Sequence, residues 1–176
     1  MPDELWVFGY GSLIWNPEFP VAERHIARLH DWRRSFCMHS VHYRGSANSP
    51  GLVLALDHAT GATCDGVAFL VQQGAEDDTL TILRDRELIS SAYLEQYLTV
   101  ELANGGQRRA LAFVINRDHA QYCGGLTLDA QAQVIATAQG VRGPNRDYLF
   151  ATAQHLADLG IEDTELTQLT AMVRRM

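Results

Sequence analysis

The chain has 176 residues, enough to bury a core without disulfide or metal support, and its 47% hydrophobic and 20% charged residues are ordinary for a globular protein. A formal net charge of −7 excludes a general nucleic-acid binder, which needs a basic face, and no apolar run approaches the roughly 20 residues of a membrane helix. The acidic MPDEL start lacks a basic signal region, and Cys37, Cys64 and Cys123 are scattered without metal-ligand spacing, so reduced thiols in the cytoplasm are expected.

Taken in chain order, Leu5–Phe8 reads as a strand, broken at Gly9-Tyr10-Gly11-Ser12 and followed by a loop around Asn16-Pro17. Residues 33–42 alternate loosely and suggest a second strand ending at Arg44-Gly45-Ser46. Residues 52–56 and 65–71 are apolar, and the turn-like 57–61 between them predicts a hairpin. A second hairpin is predicted over 93–102 and 110–115, around the strong turn signal Asn104-Gly105-Gly106. A helix capped by Asp77 or Asp78 should run to about Ser90, with Leu80, Leu83 and Leu88 at helical spacing. Thr127-Leu128-Asp129 should open another that Gly140 stops, and Asn145 should cap a third that reaches Leu159 before Gly160. Asp163 or Thr164 begins a short last helix. Strands early and helices interleaved or trailing, without βαβ alternation, predict an α+β fold around a small, strongly bent sheet or barrel, in a single domain over 1–176.

Three stretches can carry chemistry. The Gly-Tyr-Gly-Ser turn can aim successive backbone N–H groups at one point, a nest for an anion or oxyanion; a structural bulge is the alternative. No Gly-Lys-Ser/Thr, dinucleotide fingerprint or G-x-S-x-G elbow is present. In Arg84-Asp85-Arg86-Glu87-Leu88, helical spacing puts Glu87 beside the apolar stripe of Leu80 and Leu83. An inward carboxylate without a fixed partner is costly and suited to proton transfer; the alternative is a boundary carboxylate paired with Arg86 or Arg84. In Gly143-Pro144-Asn145-Arg146-Asp147-Tyr148, the tyrosine sits in the first helical turn, where its hydroxyl can reach a ligand or simply satisfy the core. Arg33, Arg34 and Arg44 can neutralise a substrate carboxylate or face water. The pairs His25/His30 and His39/His42 read as surface residues, and Cys37 and Cys64 as small buried hydrophobes. No metal site is expected.

Together the pieces VFGYGSLIWNPEF (7–19), WRRSFC (32–37), RGSANSPGLVLAL (44–56), GVAFLV (66–71), RELISSAY (86–93), ALAFVINRDHAQY (110–122), GPNRDYL (143–149) and LGIEDTEL (159–166) resemble the ChaC-type γ-glutamylcyclotransferases, which act on glutathione. The resemblance runs over nearly the whole chain. It implies a small mixed barrel flanked by helices and a lyase-type enzyme without a cofactor. Its substrate would be glutathione, cleaved to 5-oxoproline and Cys-Gly. By motif position it implies a γ-glutamyl-binding loop of Gly9, Tyr10, Gly11, Ser12 and Leu13, with Phe8 leading into it. It likewise implies Glu87 as the acid/base and Tyr148 near the substrate. Arg44 matches the family's RGS stretch, and a carboxylate-binding role for it is a further expectation. Two rivals remain open: a cyclotransferase for other γ-glutamyl compounds, and a non-catalytic module that binds a small anionic ligand. Oligomeric state is left open.

Overall fold

The computed structural model describes residues 3–88 and 90–176. The described chain divides into two compact units. One comprises residues up to Arg34 together with Leu56–Asn116, the other Ser35–Ala55 with Arg117–Met176.

The first unit holds the paired positions of a five-stranded closed barrel. Its strands are β1 (Trp6–Gly9), β2 (Val21–Ser40), β3 (Gly51–Val71), β4 (Tyr93–Leu102) and β5 (Gln107–Ile115), in the order β1-β3-β2-β4-β5. β1 lies antiparallel to β3, with Phe8 opposite Ala68, and parallel to β5, with Val7 opposite Leu111. β3 also meets β5 in parallel at Leu56 and Val114, so the barrel is mixed, as expected. β5 is buried continuously from Ala110 to Ile115, whereas β4 alternates, with Val100 and Leu102 buried beside exposed neighbours. A strand covered on both faces reads as an unbroken apolar run. The hairpin at Asn104-Gly105-Gly106 forms where predicted; Gly105 adopts φ +92°, and Asn104 Oδ1 accepts from the Gly106 N–H at 3.1 Å.

The other expected hairpin does not form. Residues 51–71 make one strand of 21 residues, and its turn-like middle passes through without reversing. Gly61 supplies a bend there with φ +83°, and its N–H donates to Asp31 Oδ1 at 2.9 Å. Asp31 itself has φ +67° inside β2, so both long strands bend locally rather than turn back. β2 is also longer than predicted. Its first half carries Glu23, Arg24, His25 and Arg28, a polar run with little hydrophobic signal. Its backbone is held by pairing of Ala27 and Arg28 with Leu102 and Glu101 of β4.

Helix α1 (Glu76–Glu87) belongs to the first unit. It starts one residue before Asp77, with Ala75 at the N-cap and no side-chain cap bond. It ends at Glu87 with Leu88 as C-cap, short of the expected Ser90; Ile89, inside that expected span, lies outside the described residues, as do the opening Met1 and Pro2. Arg84 and Glu95 tie α1 to β4 through two hydrogen bonds of 2.9 Å.

In the second unit α2 (Leu128–Thr137), α3 (Asn145–Asp158) and α4 (Thr164–Arg174) pack on one another. Their shared core contains Ile135, Leu149, Leu156 and Leu169. The Thr127 hydroxyl caps α2 by accepting from Ala130, and the Asp163 carboxylate caps α4 by accepting from Leu166. α2 stops at Ala138, before Gly140. Gly160, at φ +71°, ends α3 as predicted. Asn145 does not cap α3: Pro144 is the N-cap, and the Asn145 side chain is used elsewhere. Among the described residues no helix is long and apolar enough to cross a membrane.

Candidate active site

The glycine turn closes β1 and runs into a short 3-10 turn, Ser12–Ile14. A Cβ on Gly9 would come within 3.1 Å of both Leu13 Cβ and the Phe69 ring. The absent side chain at Gly9 therefore makes room for the turn to fold over Phe69; part of the glycine requirement belongs to the fold. Phe8 is wholly buried, with its ring in the core, so only its backbone can meet a ligand. Tyr10 is 9% exposed; its hydroxyl donates to the Phe113 carbonyl at 2.8 Å. Leu13 is buried as well, while Ser12 is half-buried.

Arg34 supports this turn from behind. It is buried, and its Nε donates to the Tyr10 carbonyl at 2.7 Å while Nη2 donates to the Asp65 carbonyl. A guanidinium on two backbone carbonyls holds the turn's shape, whereas its neighbour Arg33 is exposed.

Glu87 is the last residue of α1, with its side chain 17% exposed. Arg84 turns to Glu95, but Arg86 Nε lies 3.2 Å from Glu87 Oε1. The carboxylate is thus partnered by Arg86, the pairing that the alternative reading of this stretch named. The negative end of the α1 dipole disfavours a carboxylate at this position, and the guanidinium offsets it. The same Arg86 donates through Nη2 to Ser12 Oγ at 2.9 Å and through Nη1 to the Asn16 carbonyl at 2.6 Å. It also lies 3.3 Å from Glu18 Oε2. One guanidinium therefore gathers the serine of the glycine turn and the carboxylate at the end of α1. Sequence reasoning named Arg86 only as a possible partner of Glu87. Its adjacency in Arg86-Glu87 was the signal, but its reach to residues 70 positions earlier was not legible.

Arg44 and Tyr148 belong to the second unit. The Tyr148 hydroxyl accepts from the Leu54 N–H at 3.3 Å, and its ring meets Phe36 edge-on at 6.0 Å. The Arg44 guanidinium lies 5.8 Å from the centre of that ring, and its Nη1 donates to the carbonyls of Arg142 at 3.0 Å and Pro144 at 3.3 Å. Arg44 thus fastens the loop that leads into α3.

Cys37 and Cys64 are buried as expected, and burial pushes the Cys123 thiol up to about 11, keeping it neutral near pH 7. His30 and His42 face solvent, and His25 lies at the surface with its side chain 32% exposed, whereas His39 is half-buried, so the surface reading fails for His39. No group of three or more His, Cys, Asp or Glu among the described residues is gathered as metal ligands.

A closed mixed five-stranded barrel with its glycine turn, together with four helices, defines a γ-glutamyl cyclotransferase-like fold. A crystal structure of γ-glutamyl cyclotransferase specific to glutathione from yeast matches it with a TM-score of 0.88, 23% identity, and coverage of 98% of this chain and 96% of that one. The chain belongs to the ChaC-like protein family, whose model matches residues 5–176. It is 36% identical to the glutathione-specific γ-glutamylcyclotransferase of Escherichia coli K12, over 99% of this chain and 76% of that protein. It is 31% identical to human glutathione-specific γ-glutamylcyclotransferase 1, over 99% of this chain and 81% of that one. A Schizosaccharomyces pombe protein of the same name is 32% identical, over 97% and 93%.

Proposed function

We propose that this ChaC-family protein is a glutathione-specific γ-glutamylcyclotransferase, acting in the cytoplasm as a single domain over residues 1–176. The observation that carries the reading is the pairing of a glycine turn with a carboxylate, Ser12 and Glu87 sharing the guanidinium of Arg86. Near-full-length similarity to relatives that bear this name supports it.

The reaction is an intramolecular aminolysis. The α-amino nitrogen of the γ-glutamyl residue attacks its own γ-carbonyl carbon, a five-membered ring closes, and the amide bond to cysteine breaks. The products are 5-oxoproline and Cys-Gly, with no water consumed. Glu87 takes the proton from the attacking nitrogen and delivers it to the departing one. Backbone N–H groups of the Gly9–Leu13 turn stabilise the oxyanion, a contribution on the order of 3 kcal/mol per donor. Holding the glutamyl chain in its cyclising conformation supplies the proximity term. Tyr148 orients the substrate, and Arg44 meets a substrate carboxylate.

The test is to incubate purified protein with glutathione and, separately, with γ-glutamyl-alanine, and to quantify 5-oxoproline. Release from glutathione with little from γ-glutamyl-alanine is expected. Equal release from both would make the enzyme a general γ-glutamyl cyclotransferase. Calorimetric binding of glutathione without any product would make it a binding module.

A further inference from the structure

We infer that Arg86 is a positioning residue that fixes the hydrogen-bond polarity of Ser12, so that Ser12 meets the substrate as a donor. The inference deepens the proposed function and rests on that reading of the site.

A guanidinium carries N–H donors and no acceptor. At 2.9 Å from Arg86 Nη2, Ser12 Oγ can only accept in that contact, and its own hydrogen must point elsewhere. A serine hydroxyl is otherwise free to rotate and to present either end. Held this way, one lone pair is spent and the hydrogen is turned away from the guanidinium toward an oxygen acceptor such as the carboxylate or γ-carbonyl of a γ-glutamyl group, while the adjacent guanidinium charge disfavours an ammonium at the remaining lone pair. The selection matters because a γ-glutamyl group presents oxygens and a cationic amine close together. A serine that accepted from the amine would hold the nucleophile back from its own carbonyl.

The geometry suits a fixed support. The Arg86 side chain is 17% exposed, and its other two nitrogens meet the Asn16 carbonyl and the carboxylates of Glu18 and Glu87. Glu18 is one of the few non-glycine residues with positive φ, at +64°, and its ion pair with Arg86 helps to hold that backbone in place. Multiple anchors fix a planar fork more firmly than they fix an ammonium, so arginine suits this position better than lysine.

The test measures kcat and KM for glutathione in wild type, Arg86→Lys, Arg86→Gln, Ser12→Ala and the double variant Ser12→Ala/Arg86→Gln. Lysine donates only, whereas a glutamine amide can turn its oxygen toward Ser12 and reverse the polarity. Arg86→Lys should stay within about tenfold of wild-type kcat/KM and Arg86→Gln should fall by about 100-fold, with much of the loss in kcat. In the Ser12→Ala background the penalty for glutamine should shrink at least severalfold, because there is no hydroxyl left to misdirect. Equal activity of the lysine and glutamine variants, or a glutamine penalty unchanged in Ser12→Ala, would overturn the inference while the functional reading stands. A wild-type protein that releases no 5-oxoproline would overturn both. Should Arg86→Gln fail to fold by circular dichroism, Arg86→Lys and Ser12→Ala decide: a lysine variant as inactive as Ser12→Ala overturns the inference, and one near wild type upholds it.

Discussion

The side-chain amide of Asn145 bonds both backbone groups of Leu52, 93 positions earlier, accepting from its N–H and donating to its carbonyl at 2.8 Å each. Asn145 is wholly buried, so it completes a strand edge from within a helix. Asn145→Ala would leave two buried backbone groups without partners, costing on the order of 3 kcal/mol. For a chain of this size that lowers the thermal midpoint by roughly 6–12 °C. Calorimetric unfolding measures it, and a shift under ~2 °C would show that water or a neighbour replaces the amide.

Glu87→Gln keeps the size of the side chain and most of its packing but cannot carry a proton through the reaction. Release of 5-oxoproline should fall by about 1,000-fold or more while glutathione binding, read by calorimetry, stays within a few-fold. A purified variant that turns over at a near-normal rate would remove Glu87 as the acid/base.

Tyr148→Phe isolates a single hydroxyl. The ring keeps its edge contact with Phe36 and its place under Arg44, but the Leu54 N–H loses its acceptor. A stability loss of about 1 kcal/mol is expected. If the hydroxyl also orients substrate, KM for glutathione rises severalfold with a smaller change in kcat. Lower stability with unchanged kinetics would confine Tyr148 to the core.

Arg84 and Glu95 tie α1, which ends in Glu87, to β4. The hydrogen bonds from Arg84, with its charge, hold the Glu95 carboxyl below its ordinary value of 4.5. Because the folded value is depressed, the pair's stabilisation is present in full above about 4.5 and fades as pH falls through the lower folded value. Glu95→Gln should therefore have a lower thermal midpoint than wild type at pH 7, and the two should converge as pH drops below 4. Added salt should narrow the gap at pH 7, because Arg84 is half-exposed. A gap that persists undiminished at pH 3 would mean that Glu95 acts through packing rather than charge.

What was legible in the sequence was local. Asn104-Gly105-Gly106 specifies a hairpin because glycine alone accepts that positive φ cheaply, and Asp163 specifies the start of α4 because its carboxylate satisfies a free N–H of the first turn. The two long strands were not legible, because the first half of β2 is mostly polar, contributes little more than Ala27 and Leu29 to the core, and is held by pairing with β4. Asp57–Gly61 has turn composition, yet it continues as strand, because Gly61 absorbs the bend that a turn would otherwise have made.

The same division runs through the site. Residue order alone supplied a glycine turn, a carboxylate seven positions past Leu80, and the likeness to a family that joins the two. Tertiary structure decided that Gly9 accommodates its own turn and Phe69, and that Arg86 ties Ser12 to Glu87 across more than 70 positions. A guanidinium's reach is set by where folding brings its neighbours, and spacing along the chain carries no record of that.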